Sequence, residues 1–390
     1  MNSKNNIPQL RFPGFSGEWE EKRMGDITDN VYQPQTISKE QFTNGGFPVY
    51  GANGIIGFFD KYNHETDQIL VTCRGASCGT INFSKGKCWI TGNAMVVNLD
   101  NVENQYNKNF IYYLLENSDL NSIITGSGQP QIVRGPLLNF SIYTPPTFSE
   151  QKKIALFLSE FDSLIAAQGE KVDALKEKKK GMMQQMFPQK GETTPRLRFP
   201  GFTGEWDYVD GDELFEAISN KNHNSDLPIL ALTQDQGAVP RDMINYNVIV
   251  SDKSVAGYKV VEVDDFIISL RSFQGGIEYS RYKGLCSPAY IVLRKKSEKL
   301  CSDFYRIYFK SFIYIQELNK NLEGIRDGKM ISYKQFSEIK LPKPSPAEQQ
   351  KIAECLSAMD EMIASESAKL DALKDHKKGL MQQLFPQPNK

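Results

Sequence analysis

The sequence EQKKIALFLSEFDSLIAAQGEKVDALKEKKKGMMQQMFPQ, residues 150–189, occurs a second time as EQQKIAECLSAMDEMIASESAKLDALKDHKKGLMQQLFPQ, residues 348–387. The copies align without a gap at an offset of 198 residues. Apolar residues in the first fall at Ile154, Leu158, Phe161, Ile165, Val172, Leu175, Met182 and Met186. In the second they fall at Ile352, Leu356, Met359, Ile363, Leu370, Leu373, Leu380 and Leu384. Steps of three and four make this the seam of a heptad repeat, with polar residues at the skipped positions Gln168, Glu366, Lys179 and Lys377. Each copy ends at Phe-Pro, where the proline ring pushes the preceding residue out of the helical region. The pattern predicts two long helices, over 150–188 and 348–386. About 36 residues of helix span about 54 Å. So narrow an apolar stripe needs a partner, and the other copy is the obvious one. A whole block of chain lies between them, so the two helices can run antiparallel.

Outward from the helices a second repeat appears. LRFPGFSGEW (10–19) recurs as LRFPGFTGEW (197–206), at an offset of 187. Its glycines and proline set turns, and Phe12, Phe15 and Trp19 give a short segment enough apolar surface to dock. PQKGETTPR (188–196) has the composition of an exposed linker. Between these landmarks lie two mixed α/β blocks. In the first, QILVTCRG (68–75), GTINFS (79–84) and AMVVNL (94–99) read as strands and NFIYYLLENSDLNSII (109–124) as a helix. In the second, DFIISLRS (265–272), IEYSRY (277–282) and AYIVLRK (289–295) read as strands and SDFYRIYFKSFIYIQEL (302–318) as a helix. The change of offset places a net insertion of 11 residues between Trp206 and Asp265. The expected fold is therefore a tandem α/β (α+β) duplication, two α/β domains separated by two long antiparallel coiled-coil helices. Its parts are a first domain at 1–149, helix 150–188, linker 189–196, a second domain at 197–347 and helix 348–386. The blocks have diverged much further than the helices, so the helices share one task and each block has its own.

Composition narrows the class. The 390 residues fit two or three domains. No apolar run reaches 18 residues, so no membrane span is expected. MNSKNNIPQLRFP has no apolar stretch of the kind a secretory signal requires. Six cysteines read as reduced thiols, and the expected compartment is the cytoplasm. The net charge of −1 argues against strong non-specific binding of nucleic acid. Residues 20–145 carry 9 Lys/Arg against 12 Asp/Glu, and 207–343 carry 19 of each, so DNA binding would rest on local patches and on a partner.

Catalytic signatures are missing. Neither Gly86-Lys87 nor Gly328-Lys329 completes a Walker sequence, and Gly126-Ser127-Gly128 meets Gln131 where a dinucleotide motif needs glycine. Thr144-Pro145-Pro146-Thr147 does not supply the Asn/Asp-Pro-Pro-aromatic loop that a cofactor-binding methyltransferase needs. Asp327 with Glu338-Ile339-Lys340 mimics a nuclease spacing, but Phe140 stands opposite Glu338 in the other repeat. His64, Cys73, Cys78 and Cys88 lack Cys-x-x-Cys spacing, so no metal is expected. The stronger candidates suit nucleic acid, because Arg and Gln pair bidentately with guanine and adenine edges. They are Gln129, Gln131 and Arg134 in the loop before the last strand of the first block, and Arg326, Lys329, Tyr333 and Lys334 in its counterpart. Arg74, Arg271 and Gln274 lie at matching strand ends, with Arg281 further along IEYSRY.

As a set these residues resemble the specificity (S) subunit of type I restriction–modification systems, over essentially the full chain. The marks are LRFPGF..EW opening each half, P-x-x-x-EQ-x-K-I-A closing each block, the DALK...KKG-[ML]-MQQ-[ML]-FPQ helix ends, and YGANGIIGFFD (50–60) with TCRGASCGTINF (72–83). The resemblance implies that each block is a target recognition domain reading half of a bipartite double-stranded DNA sequence, with the coil as spacer. It implies two methyltransferase (M) subunits docked on that scaffold and restriction (R) subunits that join them. The chain itself would be non-catalytic and hold no cofactor, while the partners use S-adenosylmethionine, ATP and Mg. Competing readings are a fused methyltransferase or nuclease, and a coiled-coil scaffold carrying two adhesive modules that bind no DNA.

Overall fold

The computed structural model describes residues 6–126, 128–224, 226–244, 255–320 and 331–386. The two repeated segments are single helices of 39 residues each, α4 (Phe148–Met186) and α10 (Pro346–Leu384). Both stop immediately before the Phe-Pro pair, as the proline requires. Every seam position is buried or half-buried, whereas the off-seam residues Leu156, Leu164 and Met362 are exposed. None of the helices among the described residues is long and apolar enough to cross a membrane.

Compactness divides the chain within these helices rather than at their ends. One unit holds residues 1–170 and 367–390, the other 171–366. The boundaries expected from sequence, at 149, 188, 196 and 347, sort elements by type, but each unit contains half of each helix. In the second unit Lys171 pairs with Glu366 at 3.0 Å and Lys179 pairs with Asp360. Numbers rise along α4 as they fall along α10, so the two halves run antiparallel. In the first unit Lys377 pairs with Asp162 at 2.6 Å, and His376 packs edge-on to Phe161. Lys179, Lys377 and Glu366 are polar interruptions of the seam, and all three are used in ion pairs.

The first unit builds on a four-stranded antiparallel sheet of order β2-β8-β5-β6: β2 (Val31–Tyr32), β8 (Ala94–Val97), β5 (Ile69–Thr72) and β6 (Ile81–Phe83). β1 (Glu20–Arg23) pairs with β9 (Ser141–Thr144), and α1 (Met24–Ile27) follows β1. A smaller sheet adds β3 (Phe47–Gly51), β4 (Gly54–Phe59) and β7 (Trp89–Ile90). The remaining helices are α2 (Lys108–Glu116) and α3 (Arg134–Leu138). The second unit repeats the plan. β10 (Asp207–Asp210) pairs with β19 (Lys340–Lys343), and α5 (Gly211–Leu214) follows β10. Its main sheet has the order β11 (Phe215–Ile218), β18 (Ile291–Lys295), β15 (Phe266–Ile268) and β16 (Glu278–Tyr279). Its insertions differ from those of the first: β12 (Leu230–Thr233) with β13 (Gly237–Pro240), and β14 (Lys259–Val261) with β17 (Gly284–Cys286). Here the helices are α6 (Ser272–Gly275), α7 (Ser302–Tyr308), α8 (Phe312–Lys320) and α9 (Tyr333–Ser337).

Local polar chemistry shortens several expected elements. The helix expected over 109–124 ends at Glu116, and Asp119 starts a separate turn by accepting from Asn121 N–H at 3.0 Å. The helix expected over 302–318 breaks after Tyr308, and Ser311 Oγ accepts from Tyr314 N–H to open α8. The strand expected over 265–272 stops at Ile268, because Ser269 N–H turns back to Ser272 Oγ at 2.7 Å.

Each repeated opening motif docks on a helix end. Trp19 and Trp206 are fully buried. Trp19 meets Phe110 and Phe385, and Trp206 meets Phe304 and Phe187. Leu10 N–H reaches the Gln383 carbonyl at 3.0 Å, and Leu197 N–H reaches that of Gln185 at 2.9 Å. Arg11 forks onto Glu150 with two bonds of 2.8 Å, and Arg198 does the same to Glu348 at 2.8 and 2.9 Å. The core of the first unit thus includes Met381, Leu384 and Phe385, the far end of the second helix.

Candidate nucleic-acid interface

In the first sheet β2 and β5 finish, and β8 and β6 begin, at one end, and the loops gather there. Residues 125–134 are sewn to it by backbone bonds. Thr125 and Gln131 exchange N–H···O bonds of 2.8 Å, Ile132 N–H reaches the Cys73 carbonyl at 3.1 Å, and Gly75 N–H reaches that of Pro130 at 3.1 Å. Gly126 has φ +90°, and a Cβ there would lie 2.5 Å from the Gln129 carbonyl oxygen, so only glycine closes this turn. The stitching sets Arg74 opposite Gln131. Both side chains are exposed and without a hydrogen-bond or ion-pair partner among the described residues. Gln129 is exposed at the loop tip.

A groove of about 400 Å³ opens here, bordered by Tyr32, Gln33, Arg74, Gln131, Val133 and Arg134. Tyr32 and Gln33 carry no sequence signal and were not among the expected residues. Both are held firmly. Gln33 Nε2 donates to Cys73 Sγ and to the Gly92 carbonyl. The Tyr32 hydroxyl lies 2.8 Å from His64 Nε2, and His64 Nδ1 lies 2.6 Å from Asn63 Oδ1. The Asn63 amide is oriented by Ile90, whose N–H donates to Oδ1 and whose carbonyl accepts from Nδ2. Oδ1 is therefore an acceptor, His64 Nδ1 carries the proton, and Nε2 accepts from Tyr32. Burial lowers the His64 pKa and favours this neutral ring, while burial and then the Asp100 charge raise that of Tyr32.

Arg134 plays another part. Its Nε donates to the Val31 carbonyl at 2.8 Å and its Nη2 to that of Asp29 at 2.7 Å. In the second unit the Tyr333 hydroxyl donates to the Phe215 carbonyl at 2.9 Å. Val31 and Phe215 are equivalent, since they pair with Val97 and Lys295, residues 198 apart. Arg134 and Tyr333 each open the helix that follows the loop. Both side chains brace the first strand of their sheet, and Arg134 also borders the groove. Lys334, next to Tyr333, is exposed.

At the matching end of the second sheet, Arg271 precedes the short helix α6, Gln274 lies within it, and both are exposed. Lys310 Nζ steadies this turn by bonding the Gly275 carbonyl at 2.9 Å and Glu278 at 2.6 Å. Arg281 does not join them. β15 and β16 pair Ile267 with Glu278 and Phe266 with Tyr279, so the chain beyond Tyr279 runs to the opposite end of the sheet. Arg326 and Lys329, like Asp327, fall outside the described residues. Among the described residues no group of three His, Cys, Asp or Glu is placed to hold a metal ion.

A duplicated frame presenting exposed Arg and Gln side chains at two sheet ends has close counterparts. The family model for the type I restriction modification DNA specificity domain matches twice, over residues 16–177 and 204–375. The MjaVIII type I restriction enzyme specificity subunit of Methanocaldococcus jannaschii is 26% identical over 94% of this chain and 92% of its own. A second specificity subunit of that organism, MjaX, is 27% identical over 66% of this chain, which spans 61% of that relative's length. The crystal structure of the type I restriction–modification S subunit from M. genitalium shares the fold, with a TM-score of 0.62 at 18% identity over 98% of this chain and 99% of that one. Two matches of one specificity domain, laid on two units of the same plan, decide the matter: the chain belongs to the type I restriction–modification DNA specificity family, and its two recognition domains serve DNA sequence specificity.

Proposed function

We propose that each sheet end reads one half of a bipartite DNA target, and that α4 and α10 set the gap between the halves and dock methyltransferase subunits. The observation that carries this reading is the groove in which Arg74 and Gln131 stand without a partner among the described residues, beside the braced Tyr32 and Gln33. Guanidinium and amide groups offer the paired donors and acceptors that distinguish guanine and adenine in the major groove. Braced neighbours fix the walls of the groove, so that the ordering cost on binding is confined to the Arg74 and Gln131 side chains. The near-neutral chain would leave much of the phosphate contact to partner subunits, which would also carry adenine methylation and ATP-dependent cleavage. The chain itself is non-catalytic in this reading, and no cofactor is assigned to it.

Methylome sequencing of a host expressing the chain with its methyltransferase partner tests the assignment. Arg74→Ala and Gln131→Ala are expected to relax or weaken one half-site, by about tenfold for a lost bidentate contact, and to leave the other intact. A variant that altered both half-sites equally would refute it.

A further inference from the structure

The β3–β4 hairpin, YGANGIIGFF over residues 50–59, carries an exposed apolar tip that the recognition groove does not explain. Ile55 is 56% exposed and Ile56 is 48% exposed, next to each other in sequence. In a regular strand, neighbouring side chains point to opposite faces, and one of the two would be covered. A β-bulge opposite Val49 and Tyr50 removes that alternation: Tyr50 pairs with Ile55 and Val49 with Gly57, which leaves Ile56 as the extra residue. Gly51 makes room for it, because a Cβ there would come within 3.0 Å of an Ile56 methyl.

This tip is fixed in place. The Ala52 carbonyl at the turn accepts from Thr72 Oγ1 and, at 2.8 Å, from Asn82 Nδ2. Thr72 ends β5 two residues before Arg74, so the tip stands on the rim that holds the groove. The second unit makes a parallel arrangement with different chemistry. The tip of its β12–β13 hairpin, Gln234 to Gln236, is exposed, and the Gln234 side chain presses on Gly275 beside Gln274, 2.8 Å from where a Cβ would sit. Each unit thus brings an inserted hairpin tip to the loop that follows its equivalent strand, apolar in one and amide-bearing in the other.

We propose that the Ala52–Ile56 tip is a second base-reading element of the first unit, with Ile55 and Ile56 packing on thymine C5-methyl groups in the major groove. The thymine methyl is the apolar feature of that groove, and rigid exposed aliphatic side chains are its natural complement. Placement on the rim of the groove favours DNA over a protein partner. The inference rests on the groove being a DNA reader, and the test separates the two.

Once methylation has given the motif, and the Arg74→Ala variant has assigned a half-site to the first unit, duplexes are made with each thymine of that half-site replaced by deoxyuridine. Binding is measured with the complex of this chain and its methyltransferase partner. The expected result is an approximately fourfold loss per contacted methyl for the native chain. The Ile55→Ala/Ile56→Ala double variant should show no further loss at those positions and unchanged reading of the other half-site. Equal losses for native and variant chains at every thymine, or a half-site without thymine, would overturn the proposal. So would a double variant that fails to co-purify with the methyltransferase, which would assign the tip to a protein contact. A native complex that recognises no bipartite motif would instead refute the underlying DNA reading.

Discussion

The two units share a frame and differ at the sheet ends, and the contrast is resolved to single contacts. In the frame, Arg11–Glu150 and Arg198–Glu348 have the same fork. Lys377–Asp162 and Lys179–Asp360 occupy the same heptad position. Trp19 and Trp206 sit on equivalent phenylalanines. At the sheet ends the same carbonyl is braced by an arginine in one unit and a tyrosine in the other. The inserted hairpins have neither the same partners nor the same chemistry. Duplication kept what holds the unit closed and released what faces outward. A brace can change identity as long as a donor reaches the carbonyl, whereas a buried ion pair cannot lose a partner cheaply.

The comparison can be broken most forcefully at the ion pairs. Glu150 and Glu348 are almost fully buried, so removing the arginine strands a buried charge, at a cost of about 3–5 kcal/mol. Arg11→Ala should lower the unfolding transition of the first unit and Arg198→Ala that of the second, by similar amounts in calorimetry. Clearly unequal losses would show that the frames are alike in geometry but not in energy. The braces come next. Arg134→Ala should destabilise the first unit by about 2 kcal/mol, as expected for bonds from a charged donor, and Tyr333→Phe the second by about 1 kcal/mol. Chemical denaturation reads both, and unchanged stability would show that these bonds do not brace the strand. Smallest is the pH response of the His64 ring that holds the Tyr32 hydroxyl. Burial holds the His64 pKa below its ordinary value near 6.5, so the neutral ring contributes its full stability above that value. The contribution is lost as pH falls from there toward the folded pKa. A modest fall in the melting temperature of the first unit between pH 7.5 and 5.5, flattened in His64→Gln, is the expected outcome.

Much of the frame was legible because it is written twice. The heptad seam, the opening motif and the order of strands and helices need only periodicity and an internal offset, and the long helices end where proline demands. The sheet ends were harder to read for specific reasons. Tyr32 ends a strand of two residues and Gln33 follows it, and so short a strand leaves no pattern. Arg134 was assigned by type, but its direction depends on carbonyls about a hundred residues upstream. Arg281 was placed on a strand of six residues. The strand has two, and the hairpin register carries Arg281 to the opposite end. Arg74 and Gln131 were found separately, and a backbone bridge between loops brings them together.

The core of the first unit includes Met381, Leu384 and Phe385. On the ribosome, Trp19 and Phe110 are made early, yet their packing partner Phe385 follows only after the whole of the second unit has been synthesised. The second unit, drawn from residues 171–366, has its parts in hand sooner. The domain translated first is therefore the last that can close, and an interrupted chain would leave its aromatic core open to chaperones and proteases.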